Sequence, residues 1–200
     1  MKTPLGLTLA FVFALSAQAA YVINVDAGGW IPMYPEPPPG GTQGLSLFYF
    51  RVAGLPPVVQ DINVRISIEH TYVSDLDVWL VSPLEEMTVT LFTDVGGSGQ
   101  NFQDTLLDDQ ATTPIGSGTA PFIGSYIPQE PLAAFNGLNP NGIWQLIVVD
   151  DAGGDYGRLF KAGEMAPWGP AIGTQLIIDA VPEPGSLGLL LLLGTLLRRR

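Results

Sequence analysis

Nine residues, Ile62 to His70, alternate strictly between apolar and polar side chains. A period of two places successive side chains on opposite faces of an extended chain, so this stretch predicts a half-buried β-strand. His70 continues the apolar phase set by Ile62, Val64, Ile66 and Ile68. We therefore expect its imidazole to lie on the core face of the strand, as a buried and hydrogen-bonded side chain.

Further strand candidates are rich in Val, Ile, Phe and Trp, the residues enriched in strands. They are residues 45–52, 77–81, 88–92, 143–149 and 175–178. Turn-forming Gly, Pro and Asn lie between them at 54–57, 96–99, 139–142 and 153–154. Many short strands, with no helical period outside the two ends of the chain, predict an all-β fold, an antiparallel β-sandwich or jelly roll.

The composition excludes several classes of function. The chain has no cysteine and one histidine among 200 residues, which removes thiol nucleophiles, disulfides and any site that needs two imidazoles. Its formal charge of −11 argues against nucleic acid, because phosphates require clustered Lys and Arg.

The N-terminus has the three parts of a secretory signal. Lys2 is the charged start, Leu5 to Leu15 is an apolar run, and Ala17 and Ala19 frame a small-x-small cleavage pattern. This run of 11 residues is too short for a membrane anchor, which needs roughly 20. We expect residues 1–19 to be a signal peptide that is cleaved after Ala19.

The C-terminus carries Pro182-Glu183-Pro184, then an apolar run, then Arg198, Arg199 and Arg200. By the positive-inside rule the arginines hold that end in the cytoplasm. These residues resemble the PEP-CTERM sorting tail of Gram-negative bacteria. The resemblance implies transient anchoring in the inner membrane, cleavage by an exosortase, and delivery to the cell envelope or extracellular matrix. The apolar run of about 13 residues spans near 20 Å as a helix, short of the roughly 30 Å of a bilayer core.

Between these ends we expect a Pro/Gly-rich N-terminal arm at residues 20–44, a β-sandwich at 45–180 and the sorting tail at 181–200. Residues 20–180 hold four cationic and 18 acidic side chains, a formal charge of −14. Such a surface either keeps the protein soluble or holds cations.

Several stretches of the middle of the chain together resemble the P domain, also called P/Homo B. This β-sandwich follows the catalytic domain in kexin-like and many bacterial subtilisin-type proteases. The stretches are 68–72, 74–76, 80–83, 96–101, 104–111, 120–126, 131–137, 141–146 and 150–157.

The sequence departs from the P-domain pattern in two places. Leu84-Glu85-Glu86 stands where the family usually has Gly-Thr, and residues 160–173 precede the expected closing strand at 174–178. No protease domain is expected before residue 45. The resemblance therefore implies a module separate from a catalytic domain.

Carboxylates in the loops are the metal-ligand candidates. The expected calcium ligands are Asp75, Asp108, Asp109, Asp150 and Asp155. Calcium takes six to eight oxygen ligands, and loops at one end of a sandwich supply carboxylates and carbonyls together. P domains commonly carry calcium, so the resemblance favours this cofactor. The alternative is that these aspartates cap turns, a habitual role of Asp.

Three other candidate sites receive little support. Ser74, His70 and Asp75 suggest a hydrolytic triad, but the core phase of His70 and the lack of a Gly-x-Ser-x-Gly elbow argue against it. Residues 96–99 lack the Gly-Lys-Ser/Thr of a phosphate loop. Trp79 and Trp144 lie in apolar strands, so we expect core packing and not a sugar-stacking platform.

The leading hypothesis is a non-catalytic, exported binding or structural module, associated with the exopolysaccharide layer. The alternative is an accessory domain that docks onto a separately encoded subtilisin-like protease. A third hypothesis, an acidic hydrolase, requires two carboxylates about 5 to 9.5 Å apart in a cleft.

Overall fold

The computed structural model describes residues 20–32, 44–85 and 87–183. Ala17, Ala19, Pro184 and the three terminal arginines lie outside these ranges. Pro182 and Glu183 follow the last strand directly and are exposed.

The described residues form thirteen β-strands and four short 3-10 turns. The strands are β1 (Tyr21–Asn24), β2 (Gly29–Ile31), β3 (Leu45–Val52), β4 (Val58–His70), β5 (Leu76–Val81), β6 (Thr88–Phe92), β7 (Phe102–Leu107), β8 (Ser125–Tyr126), β9 (Gly142–Asp150), β10 (Gly157–Leu159), β11 (Met165–Ala166), β12 (Gly169–Pro170) and β13 (Gln175–Val181). The predicted all-β sandwich is therefore confirmed, and no described helix is long and apolar enough to cross a membrane.

Two sheets face each other. The first, sheet A, has the order β1-β13-β4-β10-β2, with β7 joined to β4 and β8 joined to β7. The second, sheet B, has the order β3-β9-β5-β6. In sheet A, the 13-residue β4 pairs with β13 along its first half and with β10 at its end, so the alternating segment recognised in the sequence organises the whole sheet.

Side chains from both sheets fill one core. Phe50, Ile66, Leu80, Trp144 and Leu176 are all fully buried. Each such side chain contributes about 1.5 to 3 kcal/mol by leaving water. Both sheets and this core are built from described residues between Tyr21 and Val181.

The structure corrects the expectation of an N-terminal arm at residues 20–44. Residues 21–24 pair with β13 and residues 29–31 pair with β10, so the sandwich begins at Tyr21 and not at residue 45. Both strands lie at edges of sheet A, and with four and three residues they are too short to show a period in the sequence. Residues 160–173 form the small hairpin β11–β12, and the closing strand is β13.

Candidate functional site

One end of the sandwich holds a buried histidine–carboxylate pair. His70 ends β4 in sheet A, and Asp150 ends β9 in sheet B. Their Nε2 and Oδ2 atoms are 3.3 Å apart, and neither side chain is exposed. The prediction that His70 is a buried, hydrogen-bonded residue is confirmed.

The other ring nitrogen of His70 faces the backbone of Tyr72. Nδ1 lies 2.8 Å from the Tyr72 carbonyl oxygen and 3.2 Å from its amide nitrogen. The histidine thus joins β4, the turn after it and β9. Gly157 is required beside it, because a Cβ at this position would lie 2.4 Å from His70 Cδ2.

Asp75 and Asp155 surround this pair. Asp75 is 8% exposed, and burial, followed by the charges of Asp150 and Asp155, raises the pKa of its carboxyl, against the lowering effect of His70. Asp155 accepts a 2.7 Å hydrogen bond from the Thr71 hydroxyl. Asp150 also accepts one from the Ala152 amide at 3.3 Å. Three of the five predicted calcium ligands therefore lie at one end of the sandwich.

Asp108 and Asp109 lie beside the first half of β4, away from His70. They follow β7, whose last residue pairs with Val64. Asp109 accepts hydrogen bonds from the amide N–H groups of Leu132 and Ala133, at 2.9 and 2.8 Å. Asp108 accepts a hydrogen bond from the amide N–H of Gln110 at 2.7 Å. The structure therefore separates these two aspartates from the other three and gives them turn-capping roles.

The described side chains do not form a ready metal site. Within residues 20–32, 44–85 and 87–183, no group of three or more His, Asp or Glu side chains is placed to hold a metal ion. Asp150 is directed to His70 and Asp155 to Thr71. What this end of the sandwich holds is negative charge around one imidazole.

Asp77, which is not among the five expected calcium ligands, has a strongly raised pKa. Burial, then the charges of Asp151 and Asp94, raises its pKa to about 6. Its Oδ1 is buried and has no hydrogen-bond partner among the described residues. The sequence feature that could have indicated this perturbed carboxyl is its position in an apolar strand, between Leu76 and Val78.

The tryptophans divide between core and surface. Trp144 is fully buried, and its Nε1 donates to the Pro140 carbonyl at 2.8 Å, so its predicted core position is confirmed. The prediction for Trp79 was wrong: it lies on the outer face of sheet B, because its phase is opposite to that of buried Val78 and Leu80. Trp30 is 66% exposed, with the Arg158 guanidinium 5.8 Å from its ring centroid.

Comparisons with known proteins agree with this architecture. Residues 59–162, just over half of the chain, match the family model described as the proprotein convertase P-domain. A calcium-dependent protease of Trichormus variabilis is 30% identical over 117 residues, which cover 58% of this chain and 15% of that protein. The chain thus spans a small part of this curated relative.

A solved structure of the Aeromonas sobria serine protease with its chaperone also aligns with the chain. The TM-score is 0.41 at 24% identity, over 82% of this chain and 27% of that one.

Proposed function

Because this chain belongs to the proprotein convertase P-domain family, we propose that it is a non-catalytic binding or structural module, exported to the cell envelope or extracellular matrix of a Gram-negative bacterium. The observation that carries this proposal is the position of His70. The chain has one imidazole, which is fully buried with both ring nitrogens next to polar partners. A general base must reach the proton that it abstracts, and this ring does not.

An activity assay tests the non-catalytic assignment. Purified residues 20–183 are expected to leave peptide and polysaccharide substrates intact. Cleavage that is abolished by Asp75→Asn, but not by Asp109→Asn, would refute the assignment and place an acidic active site at the His70 end.

The sorting signals support the exported location. The Pro182-Glu183-Pro184 motif and the terminal arginines resemble a PEP-CTERM tail, which an exosortase removes. Replacing Pro182 and Pro184 by Ala is expected to leave an uncleaved chain in the inner membrane. Normal processing of that variant would contradict the proposed address, and binding of extracted exopolysaccharide by the processed protein tests the matrix assignment.

Docking onto a separately encoded subtilisin-like protease is the second candidate function. It is supported by the relative of Trichormus variabilis, a calcium-dependent protease to which this chain is similar over 15% of its length. Pull-down from envelope extracts separates the two candidates. Recovery of a subtilisin-like protease supports docking, and recovery of polysaccharide alone supports the matrix function.

We also propose calcium as a stabilising ion at Asp75, Asp150 and Asp155. The support is the proximity of these carboxyl groups, since burial and then the charges of Asp150 and Asp155 raise the pKa of Asp75, and the similarity of the chain to a calcium-dependent protease. A cation relieves carboxylate repulsion, and Ca²⁺ prefers carboxylate and carbonyl oxygens.

Thermal unfolding of residues 20–183, with millimolar calcium and with excess chelator, tests the ion. At a hundred times its dissociation constant a ligand adds about 2.7 kcal/mol, or roughly 5 to 11 °C in a domain of this size. Asp75→Asn is expected to abolish the shift, and Asp108→Asn is expected to keep it. A cooperative melt without any shift would refute the calcium proposal.

A further inference from the structure

Two carboxylates face each other across two strands of sheet A. Asp61 on β4 and Asp179 on β13 are directly opposite residues of an antiparallel pair. Their side chains therefore share one face of the sheet, where like charges destabilise the pairing. Burial raises the pKa of the Asp61 carboxyl, a hydrogen bond from Gln110 lowers it, and the charges of Asp108 and Asp179 raise it. The ion pairs of the described residues include neither carboxylate of this pair, so the pair is short of positive charge.

The Asp179 carboxylate also has an unsatisfied oxygen. Its Oδ1 is buried, and no donor within the described part of the chain reaches it. Arg65 lies on the same face of β4, but its guanidinium donates to the Gln175 side chain and to the Asp104 carbonyl. A buried acceptor without a partner costs free energy and is uncommon in native proteins. Asp179 therefore calls for a cationic donor from another part of the molecule.

The register of β1 on β13 brings Ala20 to this carboxylate. Tyr21 pairs with the residue before Asp179, so Ala20 comes directly opposite Asp179. The Val25 amide donates to the Thr174 carbonyl. Because hydrogen-bonded and non-hydrogen-bonded pairs alternate along an antiparallel ladder, Ala20 and Asp179 fall on a non-hydrogen-bonded pair, with Cα atoms about 4.5 Å apart. The nitrogen of Ala20 is one bond of about 1.5 Å from its Cα, within reach of the carboxyl group.

Signal cleavage changes the charge of that nitrogen. In the uncleaved chain it is a neutral peptide amide with one N–H. Hydrolysis of the bond between Ala19 and Ala20 adds one water, and leaves a carboxylate on Ala19 and an α-ammonium group on Ala20. We infer that the α-ammonium group of Ala20 pairs with the Asp179 carboxylate and supplies the cation that the two facing carboxylates lack.

The pair makes the edge of sheet A depend on maturation. Only the processed chain has a charge at Ala20, so β1 gains this contact with β13 after the signal has been removed. The inference goes beyond the proposed function, but it rests on the export step of that proposal, because a chain that keeps residues 1–19 has no ammonium group at this position.

Amine labelling of the mature protein tests the pair. The lysines of the sequence are Lys2 and Lys161, so a chain that begins at Ala20 has its α-amino group and Lys161 as its amines. The full chain is exported in a Gram-negative host and purified in detergent, and mass spectrometry identifies its first residue. Labelling with acetic anhydride across a pH series gives the pKa of the α-amino group. This pKa is expected above its usual range of about 7.7 to 8.0, because the Asp179 carboxylate stabilises the charged form.

Two matched variants locate the interaction. Asp179→Asn is expected to return the pKa of the α-amino group to its usual range and to speed its labelling about threefold at pH 7, which corresponds to a pKa lower by about 0.5. Asp151→Asn removes an equal charge at an exposed position just after β9 and is expected to leave the pKa raised. The labelling rate of Lys161 is expected to be the same in all three proteins and is the internal reference.

The outcomes separate this inference from the proposed export. Exported protein that begins at Ala20, with the same α-amino pKa in the wild type and in Asp179→Asn, would overturn the inference and leave the export intact. An equal fall of the pKa in Asp151→Asn would assign the shift to net charge and overturn it as well. A first residue other than Ala20 on exported protein would have the same effect. A chain that stays in the cytoplasm with residues 1–19 attached would refute the export step and, with it, the pair.

Discussion

Replacement of Asp77 by asparagine is expected to stabilise the protein at neutral pH. The Asp77 carboxyl lies on β5, and within the described part of the chain its buried Oδ1 has no hydrogen-bond partner. Asp151 and Asp94 are its charged neighbours. Its pKa is raised from 3.8 to about 6, so ionisation is less favourable in the folded chain. The amide removes the charge and keeps an oxygen to accept the backbone hydrogen bond from Asp94.

The sign and size of the effect follow from proton linkage. Between pH 3.8 and about 6, the folded chain holds a proton on Asp77 that the unfolded chain has lost. The contribution of Asp77 to the free energy of unfolding therefore falls as pH rises through this window, and is constant above it. The full shift corresponds to about 3 kcal/mol. The side chain is partly exposed, so solvent screening reduces the expected gain at pH 7 to about 1 to 2 kcal/mol.

Urea unfolding of the wild type and of Asp77→Asn, from pH 3.5 to 8, measures this gain. The two curves are expected to coincide near pH 3.5, to diverge through the titration of Asp77 and to run parallel above it. In thermal unfolding, 1 kcal/mol corresponds to about 2 to 4 °C. Asp26→Asn removes the same charge from a site paired with Arg51, so it controls for net charge. A gain that is independent of pH, or one that Asp26→Asn reproduces, would refute the local explanation.

Three further substitutions test individual contacts of the fold by denaturant unfolding. Gly157→Ala is expected to destabilise by several kcal/mol, because its Cβ meets the His70 ring and the Glu69 carbonyl, whereas Gly116→Ala, in open space, is expected to change little. His70→Gln deprives buried Asp150 of its ring partner and is expected to cost about 3 to 5 kcal/mol; if adding Asp150→Asn recovers none of this loss, the pair is not coupled. Asp109→Ala leaves two backbone N–H groups without their acceptor and is expected to cost about 1 to 2 kcal/mol.

The fold was predictable where the side-chain pattern is strong. Strands β3 and β6 have the expected boundaries, and β4 was recognised from its alternation, although it begins four residues earlier than Ile62. Strand β7 was missed because Gln103 and Asp104 interrupt its apolar pattern. The Asp104 carboxylate accepts from the Ser67 hydroxyl at 2.7 Å and from the Gly173 amide at 3.1 Å, so tertiary contacts supply what local propensity lacks.

The site was predictable in parts. The phase of β4 placed His70 in the core, but nothing local indicates that its partner is Asp150, 80 residues later. Five aspartates were expected to lie together as calcium ligands, and the structure brings only Asp75, Asp150 and Asp155 near His70. Asp108 and Asp109 lie apart from them, because β7 runs antiparallel to β4 and carries the chain away from His70. The position of Asp108 and Asp109 is set by the register of β7 on β4, which is reached only after the chain has passed through β5 and β6. The sequence pattern does not encode this register.

The hydrogen bonds of His70, Asp150 and Asp155 have a structural role. His70 joins the end of β4 to the Tyr72 turn and to β9, and Asp155 fixes the neighbouring loop through Thr71. Their polar atoms hold three segments of chain together. The features left open to solvent are of another kind: an apolar sheet face and an exposed Leu84. Recognition in this protein is therefore expected to depend on the shape and hydrophobicity of sheet B, and substitutions there should alter association while the His70 end stays intact.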